Sequence, residues 1–285
     1  MTYNKRRLTY LTFTTFCAYM LPIALATHSF NRFGVFDTGF EKVARFAARA
    51  GFGSLELTET LTSRFYGGAR HKDIARHYSL TITTVHQSLA HLIWAPLRSI
   101  DNTARRAQEL GAKVVVVHLG AIRSSFADPS FFSAIKNIEK KYDVTVALEN
   151  AMLQFGFLRR GARAAAQEPD GFASVISRHN LSATYDIGHM AAKMSDPVSY
   201  IERIRQNLRH LHIHDVRGAI DHQPLGTGSL PIASLLRHLV DTKFSGSVTL
   251  EVFPYNIHPF MSRQRVEEII RQSMGYIKEA LAGKG

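Results

Sequence analysis

Short runs of β-branched and apolar residues alternate along this chain with longer stretches in which apolar positions recur every three to four residues. The alternation repeats eight times. Residues 22–27, 54–58, 81–86, 113–118, 144–149, 181–186, 209–214 and 247–252 are predicted strands, with helices near 38–50, 69–79, 99–111, 129–141, 168–179, 196–207, 229–241 and 260–281. Strict strand–helix alternation implies parallel strands, and eight such units close an α/β barrel, the (β/α)8 or TIM barrel, as a single domain over residues 21–285. The run Val114–Val117 suits a strand buried on both faces. Gly51 and Gly111 are read as helix stops, Asp101 as opening a helix with an acidic first turn, and Pro129 as lying near another start. The longest irregular stretch, about 150–167, follows the fifth strand and is expected on the rim, where it would serve as a lid.

Residues 1–20 form an N-terminal extension that needs a separate reading. Lys5-Arg6-Arg7 followed by an apolar stretch ending Ala24-Leu25-Ala26 has the outline of a signal peptide. Cleavage there would sever the first strand, and five threonines between Thr9 and Thr27, with Pro22, dilute the apolar stretch. The expectation is therefore a cytoplasmic enzyme. No other window approaches the ~20 apolar residues of a membrane span, so no membrane association is expected.

Composition narrows the chemistry. With 285 residues, 45% hydrophobic and 20% charged, the chain has the size and make-up of one globular domain. A single cysteine, Cys17, excludes an internal disulfide framework and a Cys-rich zinc finger, so any metal must be held by His, Asp and Glu. Cys17 has no nearby activating partner for nucleophilic catalysis. The net charge of +12 favours anionic partners such as phosphate, phosphosugar or nucleic acid. Basic residues are scattered, with short clusters only at Lys5-Arg6-Arg7 and Arg159-Arg160, and no interleaved basic and aromatic stripe of nucleic-acid-binding type is present. Gly226-Thr-Gly228 lacks the lysine of a phosphate loop, and no dinucleotide fingerprint occurs.

The informative residues are those at the strand ends. His86, His118, Glu149, Asp186 and Glu251 each fall at or next to the carboxyl end of a predicted strand, as do His212 and His214 on the seventh. In a barrel all carboxyl ends open onto one face, so residues distant in sequence become neighbours. Several ionisable groups aimed at one cavity are costly unless compensated, and a divalent cation compensates them. Carboxylates with an imidazole suit Mn²⁺, Mg²⁺, Co²⁺ or Zn²⁺.

Val146-Ala-Leu-Glu149-Asn150, Tyr185-Asp186-Ile-Gly-His189, His212-Ile-His-Asp215, His222-Gln-Pro-Leu-Gly-Thr-Gly228 and Leu250-Glu251 together resemble the successive signatures of the xylose-isomerase-like barrels. That group holds sugar-phosphate isomerases and epimerases together with endonuclease IV, and the resemblance runs from about residue 22 to 280. It implies that Glu149, Asp186, His212 and Glu251 ligate one metal, with Glu149 and Glu251 as the catalytic proton-transfer pair at a metal-polarised carbonyl. His189, His214, Arg217 and Trp94 are the expected substrate contacts, Arg217 as a clamp for phosphate or carboxylate.

The nuclease branch of that group has further metal histidines, matched here by His86, His118, His189 and His222 as additional metal or substrate ligands. Its aspartate two residues before the last histidine falls on Ile220, with Asp221 displaced by one. The resemblance thus implies first a metal-dependent isomerase or epimerase of a small sugar, polyol or sugar phosphate. An endonuclease IV-like phosphodiesterase on abasic DNA and an inosose-type dehydratase are the alternatives. Barrels of this group often pair through their faces, which leaves a homo-oligomer open.

Overall fold

The computed structural model describes residues 21–31, 39–60, 63, 67–88, 96–118, 129–150, 168–191 and 196–283. The N-terminal extension with Cys17, the proposed lid, Trp94 and Arg159-Arg160 lie outside the described residues. Eight parallel strands close a barrel in the order β1-β10-β7-β6-β5-β4-β3-β2. They are β1 Ile23–Ala26, β2 Ser54–Thr58, β3 Thr81–His86, β4 Val114–His118, β5 Thr145–Glu149, β6 Ser182–Asp186, β7 Leu208–Ile213 and β10 Ser247–Leu250. Two further strands among the described residues, β8 Asp215–Arg217 and β9 Ile220–Gln223, form an antiparallel hairpin that the alternation of the sequence does not announce.

Around the barrel lie α1 Phe40–Ala50, α2 Gly68–His77, α3 Pro96–Leu110, α4 Pro129–Tyr142, α5 Pro169–Arg178, α6 Pro197–Ile204, α7 Ile232–Asp241 and α9 Arg263–Leu281, with the one-turn α8 Pro254–Ile257 after the last strand. The amphipathic pattern is plain in α1, where Phe40, Val43, Ala44, Phe46 and Ala47 are the buried positions. Asp196 caps α6 by accepting the amides of Val198 and Ser199, and Ser262 caps α9 by accepting that of Arg265. No helix among the described residues is long and apolar enough to cross a membrane.

Strand alternation divides the barrel residues into two sets. Leu55, Leu57, Val85, Val115, Val117, Val146, Leu148, Tyr185, Leu211, Ile213, Val248 and Leu250 join the hydrophobic core shared with the helices. The intervening residues, among them Glu56, Thr84, Ala147, Thr184, His210 and Thr249, are fully buried outside that core, and the contacts of Thr84, His210 and Thr249 with Glu56 place this set in the barrel's interior. Two register shifts set this parity. Leu55 pairs with Ile82 but Glu56 with Thr84, and Ala183 pairs with Leu208 but Thr184 with His210. Thr83 and Arg209 are passed over, so Thr84, His86, His210 and His212 share one face.

Six helices hand over to the next strand through the same turn. Gly51, Ser79, Gly111, Asp143, Asn180 and Lys243 all have positive φ, from 47° to 91°. In each case the next amide closes back on the carbonyl five residues earlier: Phe52 to Ala47, Leu80 to Ala75, Ala112 to Ala107, Val144 to Glu139, Leu181 to Ile176 and Phe244 to Leu239. These are Schellman motifs, each placing an apolar side chain or alanine directly after the turn. Lys243 is exposed and sits at φ 50°. A left-handed lysine costs ~1–2 kcal/mol, of which glycine's added unfolded-state entropy returns roughly half. Lys243→Gly is therefore expected to stabilise by about 0.5–1 kcal/mol, seen as a higher urea midpoint at unchanged slope; a lower midpoint would contradict it.

Several boundaries differ from expectation by one to three residues, and three of the differences have an identifiable cause or consequence. Helix α3 begins at Pro96, so Asp101 lies beyond the first turn; its carboxylate instead accepts from Lys141 Nζ at 2.9 Å and Tyr142 Oη at 3.0 Å. Helix α7 begins at Ile232 because the preceding residues fold around Asp215. Strand β10 ends at Leu250, yet the Glu251 amide still donates to the Ile213 carbonyl at 3.1 Å, which fixes Glu251 at the barrel mouth.

Candidate metal centre

Register brings the strand-end residues together in pairs. His118 on β4 stands opposite Glu149 on β5, and Asp186 on β6 opposite His212 on β7. One donor atom each from Glu149, Asp186, His212 and Glu251 lie within 4.8 Å of one another, all four side chains being buried. His212 is the hub: its Nδ1 is 3.1 Å from Glu149 Oε1, 3.1 Å from Glu251 Oε2 and 3.7 Å from Asp186 Oδ2.

Two further groups flank this core and share its residues. His86 Nε2 and His118 Nε2 lie 3.2 and 2.7 Å from Glu149 Oε2. His189 and His222 each bring Nε2 to 3.7 Å from Asp186 Oδ2. The orientation of these rings is set from behind. His86 Nδ1 donates to the Gln87 carbonyl at 2.8 Å, and His189 Nδ1 to the Asn150 carbonyl at 3.0 Å, which turns both Nε2 atoms toward the carboxylates. Asn150 also bridges β5 to β6, donating to the Asp186 carbonyl and accepting the Asp186 amide.

The displaced Asp221 has a definite place. Its Oδ1 lies 3.1 Å from His222 Nδ1, on the side away from Asp186, so it orients His222 from behind. Ile220 is exposed on the hairpin, and no carboxylate from that position reaches Asp186. His222 stacks on Phe253 at 3.9 Å, and Phe253 meets His28 at 4.4 Å.

The glycines of Gly226-Thr-Gly228 serve Asp215. The amides of Gly226 and Gly228 donate to Asp215 Oδ2 at 3.1 and 2.8 Å, and those of Val216 and Leu230 to Oδ1 at 2.9 and 3.1 Å. The loop thus wraps an internal carboxylate, and a Cβ on Gly228 would stand 2.2 Å from the Val216 carbonyl oxygen. Gly188 is equally constrained, since a Cβ there would meet His214 Nε2 at 1.9 Å.

Of the expected substrate contacts, His189 lies in the cluster. His214 is buried against Asp186, with Nε2 3.4 Å from Oδ1, and stacks on His222 at 4.0 Å. Arg217 is exposed at the end of β8, and Trp94 is outside the described residues. Sequence reading missed Glu56, His210 and His28. His28 lies two residues beyond β1, close to a strand end like the others. Glu56 is mid-strand, and its signal was a lone carboxylate between two leucines in a strand buried on both faces.

Electrostatics agree with a cation-binding cluster. Burial alone would raise the Glu149 carboxyl, but His118 and His212 hold it well below the ordinary range. Burial works likewise on Glu251, which His212 and His222 bring down to about 2. Asp186 goes the other way, pushed well above its ordinary value by burial and by Glu149 and Glu251. Burial lowers His189 to about 4, so it is neutral at pH 7. Asp186 Oδ2 and His189 Nε2 are buried with no hydrogen-bond partner among the described residues. Three carboxylates, one of them with an orphaned oxygen, and imidazole nitrogens are a donor set that fits a divalent metal.

A pH dependence follows. Despite burial, Glu251, Glu56 and Glu149 keep His212 well above its ordinary value in the metal-free protein, and Asp186 is raised as well. Both groups keep their protons to higher pH than free side chains do, and a cation competes with those protons, so affinity for Mn²⁺ or Co²⁺ is expected to rise with pH. Calorimetry in buffers of different ionisation enthalpy should show net proton release; affinity independent of pH between 6 and 9 would contradict it.

A parallel eight-stranded barrel whose strand ends gather carboxylates and histidines is the architecture of a known class. The chain belongs to the xylose isomerase-like TIM barrel family, whose profile matches residues 44–280. An uncharacterized protein of Mycobacterium leprae is 25% identical over 283 residues, covering 92% of this chain and 98% of that protein. Fructoselysine 3-epimerase of Escherichia coli O157:H7 is 40% identical over 80 residues, 28% of this chain and 29% of that protein. The crystal structure of D-psicose 3-epimerase with D-tagatose from Clostridium cellulolyticum H10 has the same fold, with a TM-score of 0.70 over 92% of this chain and 99% of that one at 14% identity.

Proposed function

We propose that this chain is a divalent-metal-dependent isomerase or epimerase of a small sugar, polyol or sugar phosphate. The observation that carries the reading is the placement of Glu149 and Glu251: each brings a carboxylate oxygen to 3.1 Å from the same His212 nitrogen, one from β5 and the other from beyond β10. A divalent cation held by Glu149, Asp186, His212 and Glu251 would polarise a substrate carbonyl and acidify the adjacent C–H. Glu149 and Glu251 then form the proton-transfer pair. One carboxylate removes the proton from one face of the carbon, and the other, in its protonated form, returns a proton to the opposite face. His189, neutral and held by Asn150, offers Nε2 as acceptor to a substrate hydroxyl. Arg217, exposed at the end of β8, would clamp a phosphate or carboxylate on a longer substrate. The fructoselysine and psicose 3-epimerases among the similar proteins support a sugar as substrate.

A second reading, metal-dependent phosphodiester cleavage at abasic DNA, is favoured by one observation. His86–His118–Glu149 and Asp186–His189–His222 are each grouped tightly enough to hold a metal of their own. One assay series separates the two. Ketoses and ketose phosphates are incubated in D₂O with the Mn²⁺- or Co²⁺-loaded protein and followed by NMR, in parallel with an abasic duplex at several salt concentrations. Deuterium entering a carbon next to the carbonyl is the expected result. Abasic-site cleavage with steep salt dependence and no exchange would overturn the epimerase reading.

A further inference from the structure

We propose that Glu56, at the centre of β2, is a positioning residue that dictates which nitrogen of His212 faces the metal centre. The inference rests on the metal-dependent reading above and concerns a residue one layer deeper in the barrel. A neutral imidazole has one N–H and one lone pair, and the hydrogen bond made at one nitrogen decides which lies where. Nδ1 of His212 faces Glu149, Asp186 and Glu251. On the opposite edge of the ring, Nε2 meets Glu56, at 3.1 Å from Oε1 and 3.3 Å from Oε2. A carboxylate can only accept there, so Nε2 keeps its proton, and once a cation displaces the proton on Nδ1 that nitrogen's lone pair points at the ligand cluster.

The surroundings of Glu56 suit this role and no other in the site. Its carboxylate is fully buried, takes the Thr84 hydroxyl at 2.9 Å and lies 3.5 Å from that of Thr249. His210 brings Nε2 to 2.9 Å from Oε2, and its other nitrogen is engaged with Ser247 Oγ at 2.6 Å. The carboxylate thus accepts from Thr84 and His212, with the Thr249 hydroxyl and His210 Nε2 beside it, and these neighbours meet its charge without any cation. The grouping of Glu56, His210 and His212 is therefore a buried hydrogen-bond network, even though its donors lie close enough to suggest a metal site. Such a carboxylate behind a ligating histidine fixes the ring and makes it a stronger ligand, and removing one typically weakens metal binding 10–100-fold.

The test uses the full chain loaded with Zn²⁺ and labelled with ¹⁵N-histidine. Long-range ¹H–¹⁵N spectra of the wild type should show His212 protonated at Nε2 with a strongly downfield, exchange-protected proton; a proton on Nδ1 would overturn the proposal without any variant. Calorimetric titration of Zn²⁺ and Co²⁺ into wild type and Glu56→Gln should then show a 10–100-fold weaker affinity in the variant and an upfield shift of the Nε2 proton, with its circular dichroism unchanged. Equal affinity with an unshifted proton would remove Glu56 from the metal's support. A wild type that takes up no metal at all would instead remove the metal-dependent reading, and this proposal with it.

Discussion

Glu251→Gln is expected to abolish exchange of a ketose C–H with solvent deuterium while leaving the barrel folded. The substitution keeps the shape of the side chain and removes its ability to take or return a proton. Positioned acid–base groups contribute typically 10²–10⁴-fold, so a fall of at least ~100-fold in the exchange rate is the expected magnitude. The same substitution removes a carboxylate from the ligand set, so the measurement needs a companion. Metal content and affinity of the variant are compared with those of Asp186→Asn, which loses a ligand oxygen without losing a member of the proton-transfer pair. If Glu251 acts only as a ligand, the two variants should lose exchange in proportion to lost metal. If it transfers the proton, Glu251→Gln stays inactive at saturating Mn²⁺ or Co²⁺ while Asp186→Asn recovers. Glu149→Gln should resemble Glu251→Gln, because the two carboxylates stand symmetrically about His212 Nδ1. Full exchange in Glu251→Gln would end the two-glutamate mechanism.

The second large effect is expected on metal removal. Glu149, Asp186, His212 and Glu251 are buried on four different strands or strand extensions, so a cation joining them cross-links the barrel mouth. A ligand present at about 100 times its dissociation constant stabilises the native state by ~2.7 kcal/mol. For a domain somewhat above 250 residues this corresponds to a fall of roughly 5–10 °C in the melting temperature once a chelator has stripped the metal. Readdition of Mn²⁺, Co²⁺ or Zn²⁺ should restore it, and Asp186→Asn should show a much smaller response. A melting temperature indifferent to chelator, together with no metal by elemental analysis, would mean that the cluster compensates its charges internally. His86, for example, is already raised to about 9 by Glu149 against the effect of burial.

Much of this is legible in the chain itself. The eight strands and their order of alternation were carried by short apolar runs such as Val114–Val117, and the strand-end positions of His86, His118, Glu149 and Asp186 followed from where those runs stop. Two of the six Schellman turns were visible because glycine occupies the left-handed position at Gly51 and Gly111. The other four were less visible: Asn180 and Asp143 tolerate that conformation but are common elsewhere, and Ser79 and Lys243, which ordinarily avoid it, are held in it by the turn's own hydrogen bonds. Asp101 was misread for a related reason: an acidic residue near a helix start has a ready local explanation, and its real partners on α4 are forty residues away.

By itself, then, the sequence determined the class of fold and most of the residues that a barrel would gather at one rim, because hydrophobic periodicity is local and parallel closure follows from it. Only the tertiary structure decided how those residues face one another. The register shifts at Glu56/Thr84 and Thr184/His210 rotate whole strand ends by one residue, and they arise from pairing between strands that no single segment encodes. The same holds for Glu56 behind His212, Asp221 behind His222 and the amide cradle around Asp215. Each joins groups distant in sequence or across a turn, and a few ångströms of packing determine whether such a side chain ligates, orients or only fills the barrel.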